Sequence, residues 1–246
     1  MKHAYSLGCV FALLTAVHFA SPLSAQETQL TIGSIKFVDH ITAGMIEQDA
    51  LIEKEKGSGK VYRIGPDEAE TYKDAPVFGT AEPIHHAPFA KSASGPYPKG
   101  KALGVTLSEW LSGSGTASYS CTAGEGSINA SFTGLVPDGV YTMWYAFAGK
   151  AHMGCADCPF STIDFPVGGG DGSQSVFSAD GSGNADFQAN FSPCLRLGDE
   201  LLMPMLAIAY HSDGNTYGPD PGKFGTASHV QLFAGLPDQN SWAMKK

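Results

Sequence analysis

The run Tyr141-Thr142-Met143-Trp144-Tyr145-Ala146-Phe147 is short, aromatic and preceded by the turn residues Pro137-Asp138-Gly139. Such a stretch reads as a β-strand. Side chains alternate across a strand, so Tyr141, Met143, Tyr145 and Phe147 share one face and Thr142, Trp144 and Ala146 share the other. Large groups on both sides predict a strand covered on both faces. The same count in Leu201–His211 sets Leu202, Leu206, Ile208 and Tyr210 against Met203, Met205, Ala207, Ala209 and His211. That run reads as a central strand, with Pro204 arguing for a bulge or an edge position at its start.

Working outward, further strand-like runs occur at Thr116–Cys121, Ser127–Leu135, Val140–Ala148, Ser175–Ala179, Ala185–Phe191 and His229–Phe233. Gly, Asp, Asn and Pro separate them, and Asp180-Gly181-Ser182-Gly183-Asn184 reads as a hairpin turn between strands carrying Phe177, Phe187 and Phe191. Ahead of them, Thr106-Leu107-Ser108-Glu109 is a capping box, with Leu107, Trp110 and Leu111 on one face of a short helix and Gly113 to end it. The expected fold is all-β, an antiparallel β-sandwich or jelly roll with one short helix and an irregular N-terminal arm.

Composition agrees with this class. The chain has 246 residues, 43% of them apolar and only 16% charged, with 30 Gly and 15 Pro. Low charge and abundant Gly suit a turn-rich β-protein better than solvated helices. A net charge of −9 leaves no basic footprint for a phosphate backbone, so nucleic acid is not an expected partner.

The first residues read as a secretory signal. Lys2 is the positive start, Leu7–Ala20 the apolar stretch, and Ser24-Ala25 a cleavage site before Gln26. The apolar stretch is too short for a membrane span, and no later window is long and apolar enough for one. The expected organisation is a signal peptide at 1–25, an N-terminal segment and Pro-rich arm at 26–100, the sandwich at 101–238 and a tail at 239–246. Within the arm, Leu30–Val38 reads as a strand and Thr42–Lys56 as a short charged helix. Gly65–Gly100 carries Pro66, Pro76, Pro83, Pro88, Pro96 and Pro98, which argue for an extended connection without a ladder. Export implies a periplasmic or secreted protein.

Cleavage after Ala25 removes Cys9 and leaves Cys121, Cys155, Cys158 and Cys194. In an oxidising compartment these read as two disulfides, with Cys155–Cys158 local and Cys121–Cys194 long, because the latter two end strand-like runs. Four cysteines permit other pairings.

The runs Leu135-Val136-Pro137-Asp138-Gly139-Val140-Tyr141-Thr142-Met143-Trp144 and Ala209-Tyr210-His211-Ser212-Asp213-Gly214, with the Asp-Gly-rich turn between them, resemble a group of exported bacterial β-sandwich proteins. The resemblance covers about residues 100–237. It implies export and the sandwich fold, and transfers no catalytic residue.

His152-Met153-Gly154-Cys155-Ala156-Asp157-Cys158 is the densest set of potential ligands. With Met203, Met205 and His211 from another strand it would form a soft site suited to copper, or to zinc. Oxidation of Cys155 and Cys158 would remove both thiolates, and Met also fills core gaps. Asp180, Ser182, Asn184 and Asp186, with Asp171 nearby, alternate oxygens like a calcium loop, but the sixth-position Gly and the distal Glu are missing and a plain hairpin turn is the favoured reading. His85-His86 reads as a solvated pair, and His229 as a structural residue at a strand start. No Gly-x-Ser-x-Gly, His-Glu-x-x-His or phosphate loop occurs. The leading expectation is a non-enzymatic binding module whose end loops, with His152, His211, Asp213 and Tyr217, take a small ligand, glycan or protein partner. Its rivals are a periplasmic metal-binding protein and an enzyme on a jelly-roll scaffold.

Overall fold

The computed structural model describes residues 29–43, 49–84, 94–149, 162–195 and 202–236. It is an all-β sandwich with antiparallel sheets and one short helix. The first sheet has the order β1-β6-β7-β11, with β1 at Leu30–Phe37, β6 at Ser114–Thr122, β7 at Glu125–Thr133 and β11 at Ala185–Phe191. Facing it is β10-β8-β12-β13, with β8 at Val140–Gly149, β10 at Val176–Ser178, β12 at Leu202–His211 and β13 at Ser228–Gly235. β9 (Thr162–Pro166) also pairs with β8.

Alternation builds the core. Tyr141, Met143, Tyr145, Leu206 and Ile208 point into the space between the sheets, where Ile128, Phe132 and Phe187 meet them. Rings connect the layers, from Phe37 to Phe132 at 5.1 Å, on to Phe177 at 5.4 Å, then Tyr141 at 5.5 Å and Tyr210 at 5.5 Å. Trp144, Ala146, Met205, Ala207 and Ala209 occupy the opposite face of the same sheet, buried with Val230 and Phe233. β8 and β12 are therefore covered on both sides, as their patterns predict. In β1 a bulge between Ile32 and Ile35 lets both of these face inward although they are three residues apart.

The capping box is present. Glu109 N–H donates to Thr106 Oγ1, Thr106 N–H donates to a Glu109 carboxylate oxygen, and α1 spans Leu107–Leu111. Pro204 sits within β12 where the ladder to β13 ends. Leu236 N–H donates to the Pro204 carbonyl at 3.1 Å, and the reciprocal bond, which a proline cannot make, falls at the margin of that ladder.

Three local expectations differ from the structure. Asp180–Asn184 does not close a hairpin, because β10 belongs to one sheet and β11 to the other. The loop crosses the sandwich, and Phe177 meets Phe187 across the interlayer at 5.5 Å. Turn residues define a reversal, but not whether the next strand returns to the same sheet. The described part of Thr42–Lys56 is not helical: Asp39 Oδ1 accepts from Ile41 and Thr42 N–H in a turn, and Leu51–Ile52 is a buried strand, β2. Finally, Gly65–Gly100 is not ladder-free. β4 (Pro76–Thr80) and β5 (Tyr97–Thr106) join β2 and β3 (Lys60–Val61) in a third sheet of order β2-β4-β5-β3. Pro76 is tolerated as the first residue of its strand. Ala50, Ile52, Ile64, Val77 and Leu103 from this region join the sandwich core. Among the described residues no helix is long and apolar enough to cross a membrane.

Candidate functional site

The third sheet covers the end of the sandwich at which β12 finishes and β13 begins. Lys101 Nζ donates to the Ser212 carbonyl at 2.6 Å, and Ile84 N–H to the Phe224 carbonyl at 3.1 Å. Val230 N–H donates to Asp49 Oδ2 at 3.2 Å, and Arg63 lies 3.6 Å from Asp49 Oδ1 in a fully buried ion pair. His211, Ser212 and Ser228–Val230 at this end are thus packed inside, while the loop residues 213–216 stay exposed.

His211 shows the consequence. Trp144 Nε1–H can only donate, and it reaches Thr142 Oγ1 at 2.7 Å; the threonine hydroxyl then donates to His211 Nε2, also at 2.7 Å. That leaves the proton on Nδ1, which donates to Ser228 Oγ at 3.2 Å, and Ser228 donates onward to the Pro221 carbonyl. A donor-only group at one end and an acceptor-only group at the other set the direction of the chain. Burial pushes the His211 pKa down to about 4, with Asp213 opposing and His229 assisting. Its neutral ring has both nitrogens engaged, leaving no lone pair for a metal or for a substrate proton.

His229 is held likewise. Its Nδ1–H donates to the Asp49 carbonyl at 2.6 Å, so Nε2 accepts from Ser212 Oγ at 3.0 Å. Burial lowers its pKa. Ser212 and Ser228 lie at nucleophile-to-base distance from the two histidines, but all four residues are buried. Ser228 also points its proton at a carbonyl, the wrong direction for activation by its neighbour.

Of the residues expected to share a loop site, His211, Asp213 and Tyr217 do come together. The Tyr217 ring lies 5.7 Å from that of His211, and its hydroxyl donates to Asp213 Oδ2. This bond raises the Tyr217 pKa to about 12. Asp213 is lowered although partial burial opposes it, because Tyr217 and Asn215 donate to the carboxylate. His152 lies outside the described residues, as do Met153, Cys155 and Cys158. Met205 shares a face with His211 but lies six residues away, roughly 20 Å, and is buried beside Trp144. The side chain of Met203 lies outside the description. Among the described residues no three His, Cys, Asp or Glu side chains form a metal set. His85-His86 also lies outside the described residues.

The carboxylates of the proposed calcium set are engaged by internal donors, in turns and across the sheet. Asp180 Oδ1 accepts from Ser182 and Asn184 N–H at 2.8 Å each, which lowers its pKa, and Asp186 accepts from Ser131 Oγ at 2.6 Å. Asp171 similarly accepts from Ser173. Cys121 and Cys194 form the long disulfide, with Cα atoms 5.7 Å apart.

Next to that disulfide is an open groove of about 550 Å³. It is lined by Phe165, Pro166 and Gly168–Gly170 from one segment and Phe191–Leu195 from another, together with Tyr145 and Pro219. Phe165 is 50% exposed, the most exposed large apolar side chain among the described residues. Pro219 belongs to the loop that carries Asp213 and Tyr217, and close packing of Gly172 on Gly218 brings it there. Sequence reading missed this groove. The alternation in Thr162-Ile163-Asp164-Phe165-Pro166 and the glycine run after it were the available signals. No family model, no curated protein and no solved structure matches this chain.

Proposed function

We propose that this protein works outside the cytoplasm as a non-enzymatic binding module whose groove at Phe165 takes a small, largely apolar molecule. The observation that carries this reading is the groove itself. Its volume falls in the range of roughly 300–1,000 Å³ typical of ligand sites, and its walls are apolar with backbone amides of a glycine run close by. Half-exposed Phe165 is an aromatic contact held open to solvent in this groove. Commitment of both histidine rings and both neighbouring serines to internal bonds supports binding over catalysis. Export is supported by the Cys121–Cys194 disulfide, since such bridges persist in oxidising compartments.

The test is fluorescence of 1-anilinonaphthalene-8-sulfonate with the native protein and with Phe165→Ser. Saturable enhancement at native stability, lost in the variant without a change in urea midpoint, is expected. No enhancement, or equal enhancement in the variant, would overturn the reading.

A further inference from the structure

The groove at Phe165 draws its two lining segments from different sheets. Phe165 and Pro166 end β9, which pairs with β8, whereas Phe191 ends β11, where its ladder partner in β7 is Gly126. Residues 192–195 therefore line the groove beyond the end of that ladder. Among the described residues, three hydrogen bonds tie them to the hairpin of β6 and β7. Ser192 Oγ donates to the Gly124 carbonyl at 3.4 Å, Cys194 N–H to the same carbonyl at 3.1 Å, and Leu195 N–H to Tyr119 Oη at 2.9 Å. Leu195 is also buried in the core. The covalent tie is the bridge from Cys194 to Cys121, near the end of β6. Both cysteines are only partly buried, so a small thiolate can reach the bond from solvent.

Ordering four residues beyond a ladder costs backbone entropy of the same order as three hydrogen bonds and one buried leucine return. The bridge decides this balance, because the cross-link already removes much of the freedom that release would restore.

We propose that the Cys121–Cys194 bridge is a redox gate on the groove: the oxidised protein holds its apolar ligand, and reduction by a dithiol frees residues 192–195 and releases it. The gate rests on the reading of the groove as a binding site. A thiolate of the dithiol attacks one bridge sulfur, forming a mixed disulfide and displacing the other cysteine as a thiolate. The second thiol of the dithiol then displaces the protein sulfur. Two electrons and two protons pass to Cys121 and Cys194, and the dithiol leaves as its own disulfide. The ladder from Ala185–Phe132 to Phe191–Gly126 does not include the bridge, so the sheet persists while the segment beyond it opens. The opposite side stays in place, because Gly168 packs on Ala189, where an added Cβ would lie 3.0 Å from the alanine Cβ.

The experiment combines hydrogen–deuterium exchange, read by mass spectrometry, with titration by 1-anilinonaphthalene-8-sulfonate, on the whole protein with and without dithiothreitol. Dithiothreitol should speed exchange of the Cys194 and Leu195 amides at least tenfold while β7, β8 and β11 stay protected. Saturable probe binding should weaken at least tenfold. Cys155→Ser/Cys158→Ser should respond like the parent, and Cys121→Ala/Cys194→Ala should bind weakly with or without reductant. Thr142→Val loses stability at a residue outside the groove lining and should bind like the oxidised parent, which separates gating from instability. Exchange or probe binding unchanged by reduction, loss of protection throughout the protein, or a response abolished in Cys155→Ser/Cys158→Ser would overturn the gate alone. Absence of saturable binding by the oxidised parent would overturn the binding reading and the gate together.

Discussion

Thr142 Oγ1 lies 2.7 Å from His211 Nε2 and accepts the Trp144 indole N–H at the same distance. One hydroxyl thus satisfies a tryptophan on its own strand and a histidine on the next. Thr142→Val keeps the shape and removes both bonds, leaving two buried polar groups without this partner. A loss of roughly 2–4 kcal/mol is expected. Urea unfolding should show a lower midpoint with an unchanged slope.

Acid should weaken the fold early. Burial holds the pKa values of His40 and His211 down at about 4, against 6.5 in the unfolded chain. Asp39, Asp49 and Arg63 face His40, and Asp213 and His229 face His211. Between these limits the unfolded chain binds protons that the folded one refuses. Stability is therefore complete above about pH 6.5 and falls as pH drops towards 4, by on the order of 1.4 kcal/mol per unit for each histidine. Urea midpoints at about pH 7.5 and about pH 5 should differ accordingly, and His211→Gln should flatten the slope.

The Cys121–Cys194 bridge joins residues 73 apart in sequence. On the chain-entropy account its removal costs about 4 kcal/mol. The double variant Cys121→Ala/Cys194→Ala should show that deficit in urea, and reductant should have little further effect on the variant.

Gly172 has φ of +76°, and a Cβ there would sit 2.0 Å from the Gly218 carbonyl oxygen. Gly172→Ala should push apart the loops that carry Gly168–Gly170 and Pro219. A stability loss of roughly 1–3 kcal/mol is expected from the overpacking, together with weaker probe binding in the groove at Phe165. Thermal denaturation and fluorescence titration of the same sample check both.

The binary pattern of β8 and β12 was readable directly. Covalent geometry turns successive side chains to opposite faces whatever the rest of the chain does, so Trp144 and Met205 could be assigned away from Tyr141 and Leu206 from sequence alone. The α1 capping box and the long disulfide were equally accessible, the first because it spans four residues and the second because few cysteines were available to pair. Phe165 escaped notice because a single exposed aromatic becomes a groove wall only when Leu195 and Pro219 are brought beside it.

What remained undetermined in the one-dimensional chain was every relationship made by distant partners. Asp180–Asn184 carries the same turn chemistry whether its strands share a sheet or face each other, and only the packing of Phe177 on Phe132 and Phe187 selects the second. His211 looks like a candidate ligand until Thr142 and Ser228 engage both its ring nitrogens, and His229, read as structural, finds its partner only in the Asp49 carbonyl, 180 residues away, which accepts its ring N–H. Period and caps act over a few bonds and are written locally, whereas burial of a polar group depends on which distant segment covers it, and that is settled by the packing of the whole chain.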